Sequence, residues 1–373
     1  MNNSEAPWNY FLPNISSSSI PSTSKTECLN LTNSTLQWLQ GDSSQIVQPI
    51  IYIVVIIVSL PANAAALWFL VNPTVNVKRT PSTVFTKNLA AVDLLYLLFL
   101  PLAIAYNFNG NDWRFGTVLC HVVVSLTYLN AHCSIFLLTC ISVDRYLALV
   151  HPVKSRPWRT PRYAAVLSCV MWALMVFSIV PINTVQLVTC VNGPGAGLDT
   201  ADVTLTTCFD VFTRRGGQFL VIYSMVFFVI AFLAPFATTT FCYVAIMRSL
   251  RRSSRRGEQM DREKKKAVHL CVTVLGAFVL CFVPTNVTLL VHALRIWLYR
   301  DTSLYGVYKI CLALASLNTC LDSFVYYAVS KPFRQKVRSL LCCFSAAFRR
   351  KESVSLSLSP SVKSKREDSL RPL

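Results

Sequence analysis

The chain has 373 residues, 53% hydrophobic and only 14% charged, with a formal net charge of +18. A soluble protein of this length divides into about two or three domains. That reading is excluded by seven runs, each long enough to cross a bilayer at about 20 apolar residues. In chain order they cover roughly 46–71, 84–107, 118–143, 163–188, 218–247, 267–293 and 304–329. One buried soluble helix can imitate such a run, but seven in series predict a helical membrane protein. The expected fold class is an all-α bundle of seven transmembrane helices.

Placing the charge orients the bundle. Between spans five and six, residues 248–266 hold nine Lys/Arg against three acids; from Lys331 onward the count is eleven against three. The second inter-span loop adds Lys154, Arg156, Arg159 and Arg162, while the first 45 residues carry one Lys and three acids. Positively charged loops stay cytoplasmic, so the N-terminus is expected outside and the C-terminus inside. In this setting the basic runs read as topology signals and contacts to anionic membrane lipids; no nucleic-acid partner is expected. The head carries N-x-S/T sites at Asn2, Asn14, Asn30 and Asn33, expected glycosylation acceptors if exported. It has no apolar core of the kind a cleavable signal peptide needs, so span one is expected to act as the signal anchor. The expected organisation is a glycosylated head over 1–45, a bundle over 46–330, an amphipathic juxtamembrane helix over 331–345, and a cytoplasmic tail over 346–373. That tail, serine-rich and basic, lacks the apolar residues for a core and reads as disordered.

The 14 cysteines sort by position. Cys28, Cys120, Cys190 and Cys208 fall on the oxidising side, where disulfides persist. Cys342 and Cys343 follow the basic amphipathic stretch, a setting for palmitoylation. The others lie mostly within spans and read as small buried hydrophobes. Neither CxxC, HExxH nor a Cys/His cluster points to a metal centre. His121, His132, His151, His269 and His292 have no nucleophile at a matching depth, so no catalytic site is expected.

Two carboxylates inside spans need an explanation. Asp93 and Asp322 lie where a charge must be neutralised, paired or hydrated. With Asn63, Ser134 and Asn318 they form a candidate polar cluster. Two readings stay open there: a site for a small cation such as sodium, acting as an allosteric modulator, or a protonated structural hydrogen bond. Beyond that ion no cofactor is expected.

The ordered features are Asn63, Asp93, Cys120, Asp144-Arg145-Tyr146, Trp172, Pro235, then Phe278-x-x-Cys281-Phe282-x-Pro284 and Asn318-x-x-x-Asp322-x-x-x-Tyr326. In this order, distributed one or two to a span, they resemble the rhodopsin-like class of G-protein-coupled receptors from about residue 45 to 345. "TCFDV" at 207–211, "CFVPTN" and "LDSFVYY" are similar to the purinergic nucleotide-receptor branch, with protease-activated and lysolipid receptors as neighbours. The resemblance implies a multi-pass receptor of the cell membrane, partnered by a heterotrimeric G protein, receptor kinases, arrestin and a small extracellular ligand. It implies a disulfide between Cys120 and Cys208, leaving Cys190 to pair with Cys28. It also implies that Asp144 holds Arg145 at rest, with Tyr146, Tyr243 and Tyr326 completing the G-protein end, and that Phe278, Phe282 and Pro284 form a switch in span six.

Two departures qualify the branch. The span-seven Asp-Pro pair of the family is Asp322-Ser323 here, which implies a stiffer hinge. The His and downstream cation that nucleotide-binding members carry in span six are replaced by Asn286 and Leu289. Candidate ligand contacts are Tyr128, Asn130 and His132 in span three, Asn286, Leu289 and His292 in span six, and Tyr308, Lys309 and Leu312 in span seven. Arg214, Arg215, Arg295, Arg300 and Lys309 make the outer rim basic, which steers anions; Asp199, Asp202 and Asp210 are loop acids that this rim could contact instead. The expected ligand is a small anionic amphiphile; the alternatives are a true nucleotide receptor and a non-signalling scavenger with the same fold.

Overall fold

A computed structural model describes residues 29–30, 33–72, 79–185, 187–193, 203–211, 214–252, 272–299 and 302–329. Among them are six helices long and apolar enough to cross a membrane: Ser43–Val71, Pro81–Phe108, Gly116–Val150, Pro161–Asn183, Gln218–Arg251 and Val272–Tyr299. The seventh span runs as two shorter helices, Tyr305–Ala315 and Asn318–Val329. The expected eighth helix and tail, including Cys342 and Cys343, lie outside the described residues. So do Asn2 and Asn14 of the head, and the side chains of Asn30 and Asn33.

Span one illustrates how a membrane helix is sorted. Ile50, Val54, Ile57, Val58 and Leu60 are exposed on one side, while Tyr52, Val55, Ser59, Asn63 and Ala66 are buried on the other. The buried set recurs every three or four residues, as one face of a helix does. Its polar members turn inward because lipid offers their hydrogen-bonding groups no partner. The entries of spans two and four are fixed locally. The Thr80 hydroxyl accepts from the Thr83 amide at 3.2 Å and the Thr83 hydroxyl accepts from the Thr80 amide at 3.0 Å. This is a reciprocal cap, with Pro81 in the first turn. Thr160 caps span four by accepting from the Tyr163 amide at 3.2 Å. Span three, Gly116–Val150, has 35 residues; at 1.5 Å per residue it is about 52 Å long and projects beyond the membrane.

Spans five and six each contain a widened turn, at Phe228–Leu233 and Phe278–Phe282. Each ends two residues before a proline, Pro235 and Pro284. Proline lacks an amide hydrogen and its ring crowds the carbonyl four residues back, so the ladder opens in the turn before it. Span seven is interrupted without a proline. At Ser316–Leu317 the backbone tightens to i→i−3 bonds, Ser316 N to Ala313 O and Leu317 N to Leu314 O. The Ser316 hydroxyl also donates back to Ala313 O at 2.5 Å, and that of Thr319 to Ser316 O at 2.9 Å. Such back-bonding competes with the ladder and bends helices. At Asp322-Ser323 itself the helix Asn318–Val329 runs on without a break; the span is interrupted six residues earlier by its own serine and threonine.

Three strands cover the outer end: β1 (Leu29–Asn30), β2 (Val188–Gly193) and β3 (Val203–Cys208). β2 and β3 form an antiparallel hairpin from Val188↔Cys208 to Gly193↔Val203, and β1 joins β2 in parallel with Leu29 opposite Val191. The hairpin is tied to the loop after span two, where Trp113 N donates to Thr206 O at 2.6 Å, and to span three by the Cys120–Cys208 disulfide. Cys190 is also disulfide-bonded; its expected partner, Cys28, lies outside the described residues. A short helix, Asn33–Gln40, completes the cover. Its Trp38 packs edge-on against Tyr305 at 6.4 Å, and Gly306 sits so close that an added Cβ would lie 3.0 Å from the indole.

The Cys120–Cys208 bond closes a loop across 88 residues, and a cross-link of that kind contributes about 2–4 kcal/mol. Replacing both cysteines by alanine is expected to lower the thermal midpoint of the purified protein in detergent. An unchanged midpoint would show that the hairpin is held by its hydrogen bonds alone.

Candidate functional site

Polar residues gather at three depths inside the bundle. At the inner rim Asp144 is buried. Its Oδ1 accepts from Arg159 Nε at 2.8 Å and its Oδ2 from the Ser82 hydroxyl. Arg145 Nη2 lies 3.7 Å from Asp144 Oδ2 and donates to Ser82 Oγ. Asp144 thus faces two arginines, and the nearer one comes from the second inner loop. The expected Asp144–Arg145 pairing is present as a longer contact. Tyr146 bonds His151 Nε2 at 3.1 Å and rests its ring against Phe241. Tyr243 is buried with its hydroxyl 2.5 Å from Ser142 Oγ.

At mid-depth, Asn130 Nδ2 donates to Asp93 Oδ1 at 2.9 Å, and the Tyr326 hydroxyl lies 3.1 Å from Asp93 Oδ2 and 2.6 Å from Asn63 Oδ1. Asn63 Nδ2 in turn donates to Ser59 O and Thr319 O. Asn318 Nδ2 donates to Asp322 Oδ2 at 3.1 Å. Two residues differ from their expected places. Asn130, expected among the ligand contacts, is buried against Asp93; Tyr326, expected at the G-protein end, joins Asn63 and Asp93. Ser134 Oγ, Asn318 Oδ1 and Asp322 Oδ1 are buried with no hydrogen-bond partner among the described residues. Buried oxygens without a partner, one of them on the Asp322 carboxylate and one on Asn318 bonded to it, are the kind of donor a hard cation takes, so their chemistry fits a sodium ion.

Between spans five and six runs an aromatic column. Phe232 and Phe236 are 5.8 Å apart, Phe236 and Phe278 6.0 Å, and Phe278 and Phe282 5.6 Å. The two switch phenylalanines therefore bracket the widened turn of span six and touch span five just past its own. Pro284 follows two residues on.

The outer site is built from aromatic rings around one ion pair. Tyr128 stacks on His132 at 6.1 Å and touches Phe209; His132 meets Phe227 at 5.2 Å. The hydroxyls of Tyr128 and Tyr308 are 3.2 Å apart, and His292 stacks on Tyr308 at 6.2 Å. Above them Lys309 Nζ lies 2.5 Å from Asp210 Oδ1, between the rings of Tyr305 and Phe209 at 5.5 and 5.9 Å. Tyr106 donates to Asp210 Oδ2 at 2.5 Å and Tyr305 to Oδ1. Asp210 and Lys309 are 7% and 8% exposed, and Lys309 is the one buried Lys or Arg among the described residues. It therefore lies inside the site rather than on an open rim. Arg295 is at the surface, donating to Ser303 Oγ. The side chains of Arg214, Arg215 and Arg300 are outside the described residues. Asn286 Nδ2 is turned back to Phe282 O at 2.9 Å; Leu289 and Leu312 are half-buried. Sequence reasoning does not mark Tyr106, Tyr305 or Arg159 as site residues, and it marks Asp210 only as a loop acid.

Residues 62–326 match the family described as "7 transmembrane receptor (rhodopsin family)". The chain is 35% identical over 340 residues to the eighth purinoceptor of Gallus gallus, covering 89% of this chain and 87% of that one. It is 36% identical over 318 residues to the S-geranylgeranyl-glutathione receptor of Homo sapiens, covering 83% and 84%. Proteinase-activated receptor 2 of Rattus norvegicus is equally similar, 35% identical over 321 residues, 85% of this chain and 77% of that one.

The mid-depth geometry predicts an ion effect. Exchanging sodium for choline is expected to lower the thermal midpoint of the purified protein by about 1–2 °C. That is what roughly 1 kcal/mol of preferential binding yields in a chain of this size. In Asp93→Asn the difference should vanish. A sodium response that survives this substitution would place the ion elsewhere.

Proposed function

Because the chain belongs to the rhodopsin family of G-protein-coupled receptors, multi-pass proteins of the plasma membrane that signal and are not enzymes, we propose that it responds to a small extracellular anionic amphiphile. The observation that carries this reading is the buried Lys309–Asp210 pair set in an aromatic wall. An anionic head entering from outside competes with Asp210 for Lys309, and the rings of Tyr128, His132, Phe227 and Tyr308 receive the hydrocarbon. A triphosphate suits the site poorly, because Lys309, the one buried cation among the described residues, is already neutralised and span six offers Asn286 and Leu289 where a second cation would serve. The human relative's name couples a geranylgeranyl hydrocarbon to glutathione, which is an amphiphile of this class. "WRFG", "TCISVDRYLALVHP" and "LNTCLDSFVYY" support placement beside the eighth purinoceptor.

The proposed signal starts when Lys309 exchanges Asp210 for the ligand anion. Tyr106 and Tyr305 then lose their shared acceptor geometry, and the outer half of span seven shifts against the break at Ser316–Leu317. Phe278 and Phe282 pass the change down span six, whose inner half swings outward. Arg145 leaves Ser82 and Asp144, and its always-charged five-donor fork meets the G protein, with Tyr146, Tyr243 and Tyr326 in support. Arrestin and receptor kinases act on the serine-rich tail.

The test is a G-protein reporter assay with three ligand arms: S-geranylgeranyl-glutathione, nucleotides, and a trypsin-like proteinase. The prenyl conjugate is expected to activate. Lys309→Ala should weaken it about tenfold to a hundredfold, the worth of one charge-assisted contact. Because removing one partner strands the other charge, Lys309→Ala/Asp210→Asn serves as the folding control and should be equally weak. A submicromolar response to ATP, ADP, UTP or UDP that Lys309→Ala abolishes would overturn the ligand class. Activation by the proteinase alone would assign the receptor to the proteinase-activated type. Separately, Arg145→Ala is expected to abolish G-protein activation at unchanged surface level; normal signalling would remove its assigned role.

A further inference from the structure

The outer ends of spans three and four enclose a groove on the outside of the bundle, away from the aromatic site. It is lined by Val118, His121, Val122, Ser125, Leu126 and Asn183, with a volume of about 510 Å³, within the range of small-molecule sites. His121 is five residues inside Gly116, about 7–8 Å along the axis, and Asn183 is the last residue of its helix. Both therefore stand at the outer boundary of the membrane. Val118, Val122 and Leu126 recur every fourth residue and form a straight apolar ridge about 12 Å long.

The polar end of the groove has a defined chemistry. Asn183 Nδ2 donates to the Ile179 carbonyl at 2.9 Å. A carbonyl only accepts, so this bond fixes which way the carboxamide faces. Its Oδ1 is then the atom 2.8 Å from His121 Nδ1. An amide oxygen also only accepts, so Nδ1 must carry the proton. In the neutral ring this leaves Nε2 with a lone pair, since the hydrogen bond at one nitrogen sets the role of the other. Ser125 Oγ bonds Asn183 from the other side, at 3.0 and 3.3 Å. The polar atoms thus satisfy one another, and Nε2 has no partner among the described residues.

We propose that this groove binds a membrane sterol, with the sterol hydroxyl donating to His121 Nε2 and the ring system lying along Val122 and Leu126. The site needs a hydroxyl donor at the membrane boundary, joined to a rigid apolar body. The ester carbonyls and phosphate of a phosphatidylcholine only accept, so they repel the lone pair. A sterol meets both demands.

The experiment uses the full-length receptor in cell membranes and a photoreactive, alkyne-tagged cholesterol analogue. Labelling is expected within Val118–Leu126 or at the outer end of span four. Excess cholesterol should compete, whereas its 3-ketone, which lacks the hydroxyl donor, should not. His121→Phe keeps the ring and loses the acceptor; labelling at matched surface level should fall at least about fivefold, the loss of roughly one hydrogen bond. Asn183→Leu frees the imidazole to change tautomer, and the 3-ketone should then compete. If His121→Phe does not reach the surface, Val122→Trp fills the groove from the lipid side and should lose the label instead. Undiminished labelling in the variant that reaches the surface, competition by the ketone in the native receptor, or displacement by phosphatidylcholine would each overturn the proposal.

Discussion

The outer half of the molecule depends on one turn of backbone, held between a disulfide and a hydrogen bond. Cys208 is bonded to Cys120 in span three, and the next residue, Phe209, donates its amide to Leu187 O at 2.8 Å. Between these anchors Phe209 adopts φ +64°, a left-handed conformation that costs a bulky residue energy and persists only where its surroundings enforce it. The turn sends the following carboxylate, Asp210, down into the bundle and lays the Phe209 ring beside Lys309. A buried ion pair of this kind adds little to stability, because desolvation offsets attraction. In the proposed function its value is as an exchangeable contact, Asp210 giving way at Lys309 to the anion of the ligand.

The same requirement recurs at each depth. Asp210, Asp93 and Asp144 are all removed from water, and each is compensated by partners from elsewhere in the bundle. Span two contributes at every level: Tyr106 at the outside, Asp93 itself in the middle, Ser82 at the inside. Span seven contributes at two, with Tyr305 and Lys309 serving Asp210 and Tyr326 serving Asp93. The break at Ser316–Leu317 lies between these two sets. In the proposed signal the outer helix of span seven answers a change at Asp210 before the inner helix gives up its contacts at Asp93. Span two is the fixed partner and span seven the divided one.

The spans were legible in the sequence because charge-free length is sufficient evidence for a membrane helix; the starts of spans one to four fall within three residues of the apolar runs. The pairing of Cys120 with Cys208 was legible only through resemblance. Asn130 was misplaced for a reason that helical geometry supplies. Tyr128 and His132 are four residues apart and share a face, whereas Asn130 lies about 200° from Tyr128 and shares its face with Ser134. Asn318, Asp322 and Tyr326 are likewise spaced by four, so Tyr326 could have been assigned to the polar cluster from spacing alone. Arg159 could not. Among the loop charges that set topology it looks like any other, and only the fold of residues 151–160 brings it to Asp144.

The widened turns give the proposed signal its route from the outer end to the inner rim. A helix with an intact hydrogen-bond ladder moves as a rigid rod and resists bending, because every residue is held by two neighbouring turns. At Phe228–Leu233 and Phe278–Phe282 that ladder is loosened in spans five and six, each time just before a proline. The rings of Phe232, Phe236, Phe278 and Phe282 fill the space between the two loosened turns in one continuous contact series. Apolar rings impose no fixed hydrogen-bond geometry, so they can repack while staying buried. The polar clusters above and below must instead change partners as units. The bundle thus combines polar, partner-specific clusters at three depths with an apolar, adaptable column between spans five and six, and motion is least costly where the prolines have already opened the backbone.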